Sequence, residues 1–166
     1  LGLDTLEPFL AVARQTGKGL FVLVRTSNPG SADLQDVKTA DGRSFSELLA
    51  DQLNPLAGGE GLLGESGWSS LGAVVGATQI HTIESLRKRL PRSIFLLPGY
   101  GAQGATADLT RAAFTHRQGA IVSASRSILY AHRDKQYANA ESWEHAVESA
   151  VIAMKSDVAR VIRAEE

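Results

Sequence analysis

Apolar positions along the chain alternate between helical spacing and short unbroken runs. Leu6, Phe9, Leu10 and Ala13 recur at intervals of three and four, which predicts a helix with Asp4 as its N-cap, Glu7 three residues on and Gly17 at its exit. Leu20-Phe21-Val22-Leu23-Val24 follows as a continuous apolar run with β-branched members. It is too short for a helix and predicts a strand of a parallel sheet, buried on both faces. A polar stretch over 25–42 leads into Ser44-Phe45-Ser46-Glu47, a capping box that predicts a helix burying Phe45, Leu48, Leu49 and, further along, Leu53, ending near Pro55 and Gly58.

The unit then repeats. Residues 71–77 read as a second strand, and Thr82 as the cap of a helix presenting Ile83, Leu86 and Leu90 until Pro91 stops it. A third strand is predicted over 93–97, broken by Pro98-Gly99, with a third helix over 108–114 after a glycine-rich loop. Residues 120–122 give the fourth strand and 125–131 a short helical turn. A long terminal helix carries Trp143, Val147, Ala150, Val151, Met154, Val158 and Val161 on one stripe.

Four strand-helix units after a lone helix define an α/β chain. Two architectures fit: a small doubly wound sheet, or the second half of a (β/α)8 barrel, whose full length is typically about 250 residues. At 166 residues the chain fits either. Without a shorter repeat, low-complexity tract or linker, residues 1–166 are expected to form one domain or part of one.

Composition narrows the function classes. A hydrophobic share of 43% and a formal net charge of -1 are those of an ordinary globular protein, without the basic excess of a nucleic-acid footprint. No apolar run reaches the length of a membrane span, and the N-terminus lacks the basic and apolar segments of a secretory leader, so a cytoplasmic protein is expected. With no cysteine, disulfides, thiolate nucleophiles and thiolate metal sites are ruled out. His81, His116, His132 and His145 show no metal-ligand spacing. Trp68 and Trp143 are expected to pack, and Arg87-Lys88-Arg89 to form a solvated helix face near its C-terminus.

Chemistry concentrates after the predicted third and fourth strands. Gly99-Tyr100-Gly101-Ala102-Gln103-Gly104 spells G-x-G-x-x-G between a strand and a helix, the pattern of a dinucleotide fingerprint. That fingerprint wants an acidic residue about twenty positions later, where this chain has Ser123, Ser125 and Arg126. An arginine there suits a phosphorylated ribose, as in NADP, whereas Pro98 and Tyr100 fit the tight turn poorly.

In a barrel the same residues make a phosphate site, formed by the loops after strands seven and eight and the N-terminus of a short extra helix. Arg126 would add a forked donor worth about 1.5 to 3 kcal/mol per charge-assisted bond. An arginine so placed can equally be a solvated surface residue. Ser27 follows the first strand, where a barrel places site residues, although a serine there can simply satisfy loop amides.

The stretch Phe21-Val22-Leu23-Val24-Arg25-Thr26-Ser27-Asn28-Pro29-Gly30-Ser31-Ala32-Asp33-Leu34-Gln35 closely resembles one in the longer bacterial form of orotidine 5'-phosphate decarboxylase. Three further stretches follow in the same order: Gly72-Ala73-Val74-Val75-Gly76-Ala77-Thr78, Leu97-Pro98-Gly99-Tyr100-Gly101-Ala102-Gln103-Gly104, and Ser125-Arg126-Ser127-Ile128-Leu129-Tyr130-Ala131. The resemblance implies the C-terminal half of a (β/α)8 barrel, with the first four strands absent. It also implies an enzyme that converts orotidine 5'-phosphate to UMP and carbon dioxide without metal or cofactor, as a homodimer sharing its active sites.

By the family pattern, Gln103 and Arg126 hold the substrate phosphate, backbone amides around Ser125 and Arg126 assist, and Ser27 bonds the pyrimidine edge. The loop that begins at Pro98 closes over the phosphate. The family's reacting lysine and aspartates, in a D-x-K-x-x-D motif, are expected upstream. Asp36-Val37-Lys38-Thr39-Ala40-Asp41 spells the same motif, but it lies in a polar stretch after Ser27 instead of directly after a buried strand. It is expected to be solvated loop charge. The segment alone is then expected to be inactive, with a noncatalytic phosphate-binding module as the other reading.

Overall fold

A computed structural model of the chain describes residues 2–76, 80–101 and 106–163. In chain order the elements are α1 (Glu7–Thr16), β1 (Leu20–Arg25), α2 (Ala32–Gln35), α3 (Phe45–Ala57), β2 (Ser69–Val75), α4 (Ile80–Arg89), β3 (Ser93–Pro98), α5 (Ala107–Arg111), β4 (Ala120–Ser123), α6 (Arg126–Leu129) and α7 (Trp143–Arg163). The four strands form one parallel sheet in the order β1-β2-β3-β4. Each strand pairs with its neighbour in sequence and the order never reverses. A doubly wound sheet requires a reversal to create its ligand crevice, so this topology is that of consecutive barrel units.

Register explains the core. Leu20 pairs with Leu71 and Val22 with Ala73, and Ala73 in turn with Phe95. This face, with Val24, Val75 and Leu97, is buried against Leu10 and Ala13 of α1, Ala50, Leu53 and Ala57 of α3, and Ile83 and Leu86 of α4. Side chains one residue out of step form the other face. There Leu23 lies beside Val74, Val74 beside Leu96, and Leu96 beside Ile121. Phe21, Leu23 and Ile121 remain 43%, 62% and 49% exposed. The expectation that the first strand is buried on both faces is therefore corrected: helices cover only one side.

Several local expectations also shift. Asp4 lies in a 3-10 turn, and α1 starts at Glu7 after Leu6, with Pro8 in its first turn, where a fixed φ and a missing N-H cost nothing. The capping box of α3 forms as expected: the Ser44 hydroxyl accepts from the Glu47 amide at 3.2 Å, and the Glu47 carboxylate from the Ser44 amide at 2.7 Å. Its buried face, however, is Ser46, Ala50, Leu53 and Ala57, with Phe45, Leu48 and Leu49 only half-buried. Pro55 lies inside that helix. Thr82 is within α4, which starts at Ile80, so it is no cap. Along α7 Ala146, Ala150 and Val161 are buried, while Trp143 is 60% exposed and does not pack.

Arg87 overturns the solvated Lys-Arg face. Four residues after Ile83 it shares the inner side of α4, and its guanidinium donates to the carbonyls of Leu90, Ser93, Ala113 and Gly119 at 2.8 to 3.0 Å. It also lies 3.7 Å from the Phe95 ring centroid. Arg89 pairs with Asp51 at 2.7 Å, leaving Lys88 as the exposed member. Trp68 packs as expected: its indole donates to Gln118 at 3.0 Å, and its ring lies where a Cβ on Gly119 would come within 2.2 Å.

Candidate site at the carboxyl edge of the sheet

Because the strands are parallel, Arg25, Val75, Pro98 and Ser123 end on one edge, and the following loops meet there. Ser27 is half-buried at this edge. A Cβ on Gly76 would approach the Ser27 nitrogen to 2.8 Å and its Cβ to 2.9 Å, so the glycine at the end of β2 makes room for the serine loop.

That loop is held from below by Arg25, a residue 5% exposed. The guanidinium grips Asp36 in a two-pronged pair, Nε to Oδ1 and Nη2 to Oδ2, both 2.9 Å. Its remaining arm donates to the Thr26 carbonyl and the Ser31 hydroxyl. Ser31 donates onward to the Asn28 carbonyl at 2.6 Å, and the Thr26 amide donates to Gln35 at 2.8 Å. The fork geometry of arginine suits this crosslinking, which a single ammonium point charge would not provide.

The D-x-K-x-x-D segment supplies part of that scaffold. Asp36 is taken by Arg25, and Asp41 accepts from Arg43 and Thr39. The Arg43 guanidinium above all holds the Asp41 carboxyl well below the usual carboxylate range. Lys38 is 64% exposed and 3.9 Å from Glu47. The three charges are bound into separate local contacts and do not converge.

At the other end of the edge Pro98, half-buried, is the last residue of β3 and pairs with Ser123. Gly99 and Gly101 follow with φ of 96° and 74°, conformations that favour glycine. This loop passes close to α6: a Cβ on Gly101 would lie 3.2 Å from the Ser127 hydroxyl, which donates to the Tyr100 carbonyl at 3.4 Å. Ser125 occupies the N-cap position of α6 without a side-chain cap bond, and Arg126 opens the helix. Both are exposed. Gln103 lies outside the described residues.

Pro98, Ser125 and Arg126 thus gather over β3 and β4, and Ser27 over β1 and β2, on one edge. Sequence reasoning missed Arg25, Asp36 and Gly76. Arg25 ends an apolar strand, a weak signal by itself, and no helical or strand period links it to Asp36. Among the described residues no group of three or more His, Cys, Asp or Glu could hold a metal ion, and all four histidines are exposed. Nor is any helix among the described residues long and apolar enough to cross a membrane.

Residues 1–141 match the model of the orotidine 5'-phosphate decarboxylase / HUMPS family. An orotidine 5'-phosphate decarboxylase of Rhodopirellula baltica is 41% identical over 95% of this chain and 53% of its own length. One of Clostridium tetani is 38% identical over 99% of this chain and 56% of its own. A solved Toxoplasma gondii structure, assigned as an orotidine-monophosphate decarboxylase, superposes with a TM-score of 0.75 at 29% identity, over 98% of this chain and 56% of that one. The chain therefore spans about half the length of the relatives it matches, and its sheet corresponds to half of a (β/α)8 barrel.

Proposed function

Since this chain belongs to the orotidine 5'-phosphate decarboxylase / HUMPS family, we propose that it is the C-terminal part of an enzyme converting orotidine 5'-phosphate to UMP and carbon dioxide. Residues 1–166 supply the grip on the nucleotide, and the part of the relatives beyond this chain supplies the reacting lysine and carboxylates. One observation carries the reading: Ser27 stands at one end of the carboxyl edge and Pro98, Ser125 and Arg126 at the other. That separation of two to three strand spacings, roughly 10 to 15 Å, suits a ligand with a base at one end and a phosphate at the other.

In this assignment Arg126 and Gln103 bind the phosphate with help from amides near Ser125, Pro98 starts the loop over it, and Ser27 bonds the pyrimidine. Phosphate binding remote from the scissile bond supplies energy that offsets the cost of desolvating and crowding the substrate carboxylate. The protein acts as a cytoplasmic homodimer. The barrel-type strand order removes support from a dinucleotide site on the glycine loop.

The test is calorimetric titration of the chain with UMP, uridine and NADP. UMP is expected to bind more tightly than uridine, Arg126→Ala to weaken UMP about tenfold with little change for uridine, and Ser27→Ala to weaken both. Equal affinity for UMP and uridine, or a preference for NADP, would overturn the assignment. The chain by itself is expected not to turn over orotidine 5'-phosphate. Turnover by a preparation of confirmed mass would move the chemistry into this segment and make Lys38 the next residue to replace.

A further inference from the structure

The match to the family model ends at residue 141, yet α7, which follows it, reaches back to the glycine loop. The Tyr100 hydroxyl donates to the Asp157 carboxylate across 57 positions of sequence. One turn further along α7, Arg160 donates to Asp157 at 3.1 Å and approaches Asp108 to 4.0 Å. Tyr100 lies at the entry of the loop, between Gly99 and Gly101, and Asp108 lies at its exit, in the first turn of α5. One helix therefore holds the entry stem of the segment that carries Gln103 and comes near its exit stem.

The Tyr100 contact is the stronger of the two. Its phenol is half-buried, and burial first, then the bond to Asp157, push its pKa up to about 12, so the proton stays on the tyrosine. The same bond, with Arg160, holds the Asp157 carboxyl below its usual value. An O-H donor facing a carboxylate acceptor is the arrangement that makes a strong hydrogen bond. The pair between Arg160 and Asp108 is longer and side-chain exposure is 62% and 75%, so solvent screens it.

We propose that Asp157, through Tyr100, is a positioning residue for the phosphate loop. This rests on the phosphate-binding role assigned above. The two glycines on either side of Tyr100 would otherwise leave the loop entry many conformations, and each must be given up when an anion is gripped. Fixing Tyr100 on a packed helix removes part of that cost before the ligand arrives. Asp157 touches no substrate atom in this scheme.

The experiment compares UMP and uridine binding to the chain and to Tyr100→Phe, Asp157→Asn and the double variant, with hydrogen exchange of the amides over 99–108 followed in the same proteins. Each single variant is expected to weaken UMP about five- to tenfold, to leave uridine within about twofold, and to speed exchange in the loop; the double variant should be no worse than either single one. Thermal unfolding of Tyr100→Phe, which keeps the ring and loses only the hydroxyl, separates a global loss from a local one. If the parent chain binds UMP and both variants bind it equally well with unchanged exchange, the inference is overturned and the phosphate assignment stands. If the parent chain does not favour UMP over uridine, the phosphate assignment itself fails.

Discussion

Arg87 shows how one side chain can organise the lower end of a sheet. Its described hydrogen bonds run to four carbonyls, those of Leu90, Ser93, Ala113 and Gly119, which lie around the entries to β3 and β4. Burial alone pushes its pKa down, to about 10, yet at neutral pH it remains charged and its charge is met by main-chain dipoles. Replacing Arg87 by methionine would keep much of the volume while leaving these carbonyls without their donor. The expected cost is about 3 kcal/mol in urea unfolding. Arg87→Lys should recover only part of it, because one ammonium cannot reach all the carbonyls spread around the edge of the guanidinium fork. A loss below about 1 kcal/mol for the methionine variant would remove Arg87 from this role.

At the scale of elements, α3 and α4 are joined through charges on their outer turns. Glu47 closes the capping box and accepts from Ser85 of α4, while Asp51 is shared by Arg43 and Arg89. The Ser44 amide first, then the Ser85 hydroxyl, lower the Glu47 pKa from 4.5 to about 2. A carboxyl whose folded pKa is depressed contributes stability in full above its unfolded value and loses it as pH falls through the folded value. Stability should therefore fall between about pH 4.5 and about pH 2, and Glu47→Gln should flatten that part of a thermal-melting profile. Ser44→Ala should cost about 1 kcal/mol. An unchanged acid slope in the glutamine variant would show that other carboxylates govern it. The capping box was legible because its signal is local, and the strands because four apolar runs are too short to be anything else. The rest depended on distance or competition. Leu6 takes the N-cap place expected of Asp4, alanines take the inner face of α3 from the larger Phe45 and Leu48, and Thr106 caps an α5 of only five residues. Of the proposed site, the positions of Ser27, Ser125 and Arg126 after strands could be read from the sequence, whereas Pro98 is itself the last residue of β3. The Arg25 and Asp36 clamp and the hold of α7 on Tyr100 join residues with no sequence period between them.

For the molecule as a whole, the apolar row of Leu23, Val74, Leu96 and Ile121, exposed at both ends and with Phe21 beside it, is expected to govern solution behaviour. Within the described sheet β1 and β4 are also the outer strands. Apolar surface next to unpaired strand edges drives association. Light scattering of the chain should show concentration-dependent self-association, and Leu23→Lys with Ile121→Lys should reduce it while leaving far-ultraviolet circular dichroism unchanged. Association unaffected by both changes would place the sticky surface elsewhere. The uninterrupted strand order also bears on synthesis. Each strand finds its partner in the strand made just before it, so the sheet can grow in the direction in which the ribosome releases it, with no strand waiting for a distant one. Both α6 and α7, which follow β4, join back to the loop after β3, so a nascent chain acquires these strands before it acquires a fixed glycine loop.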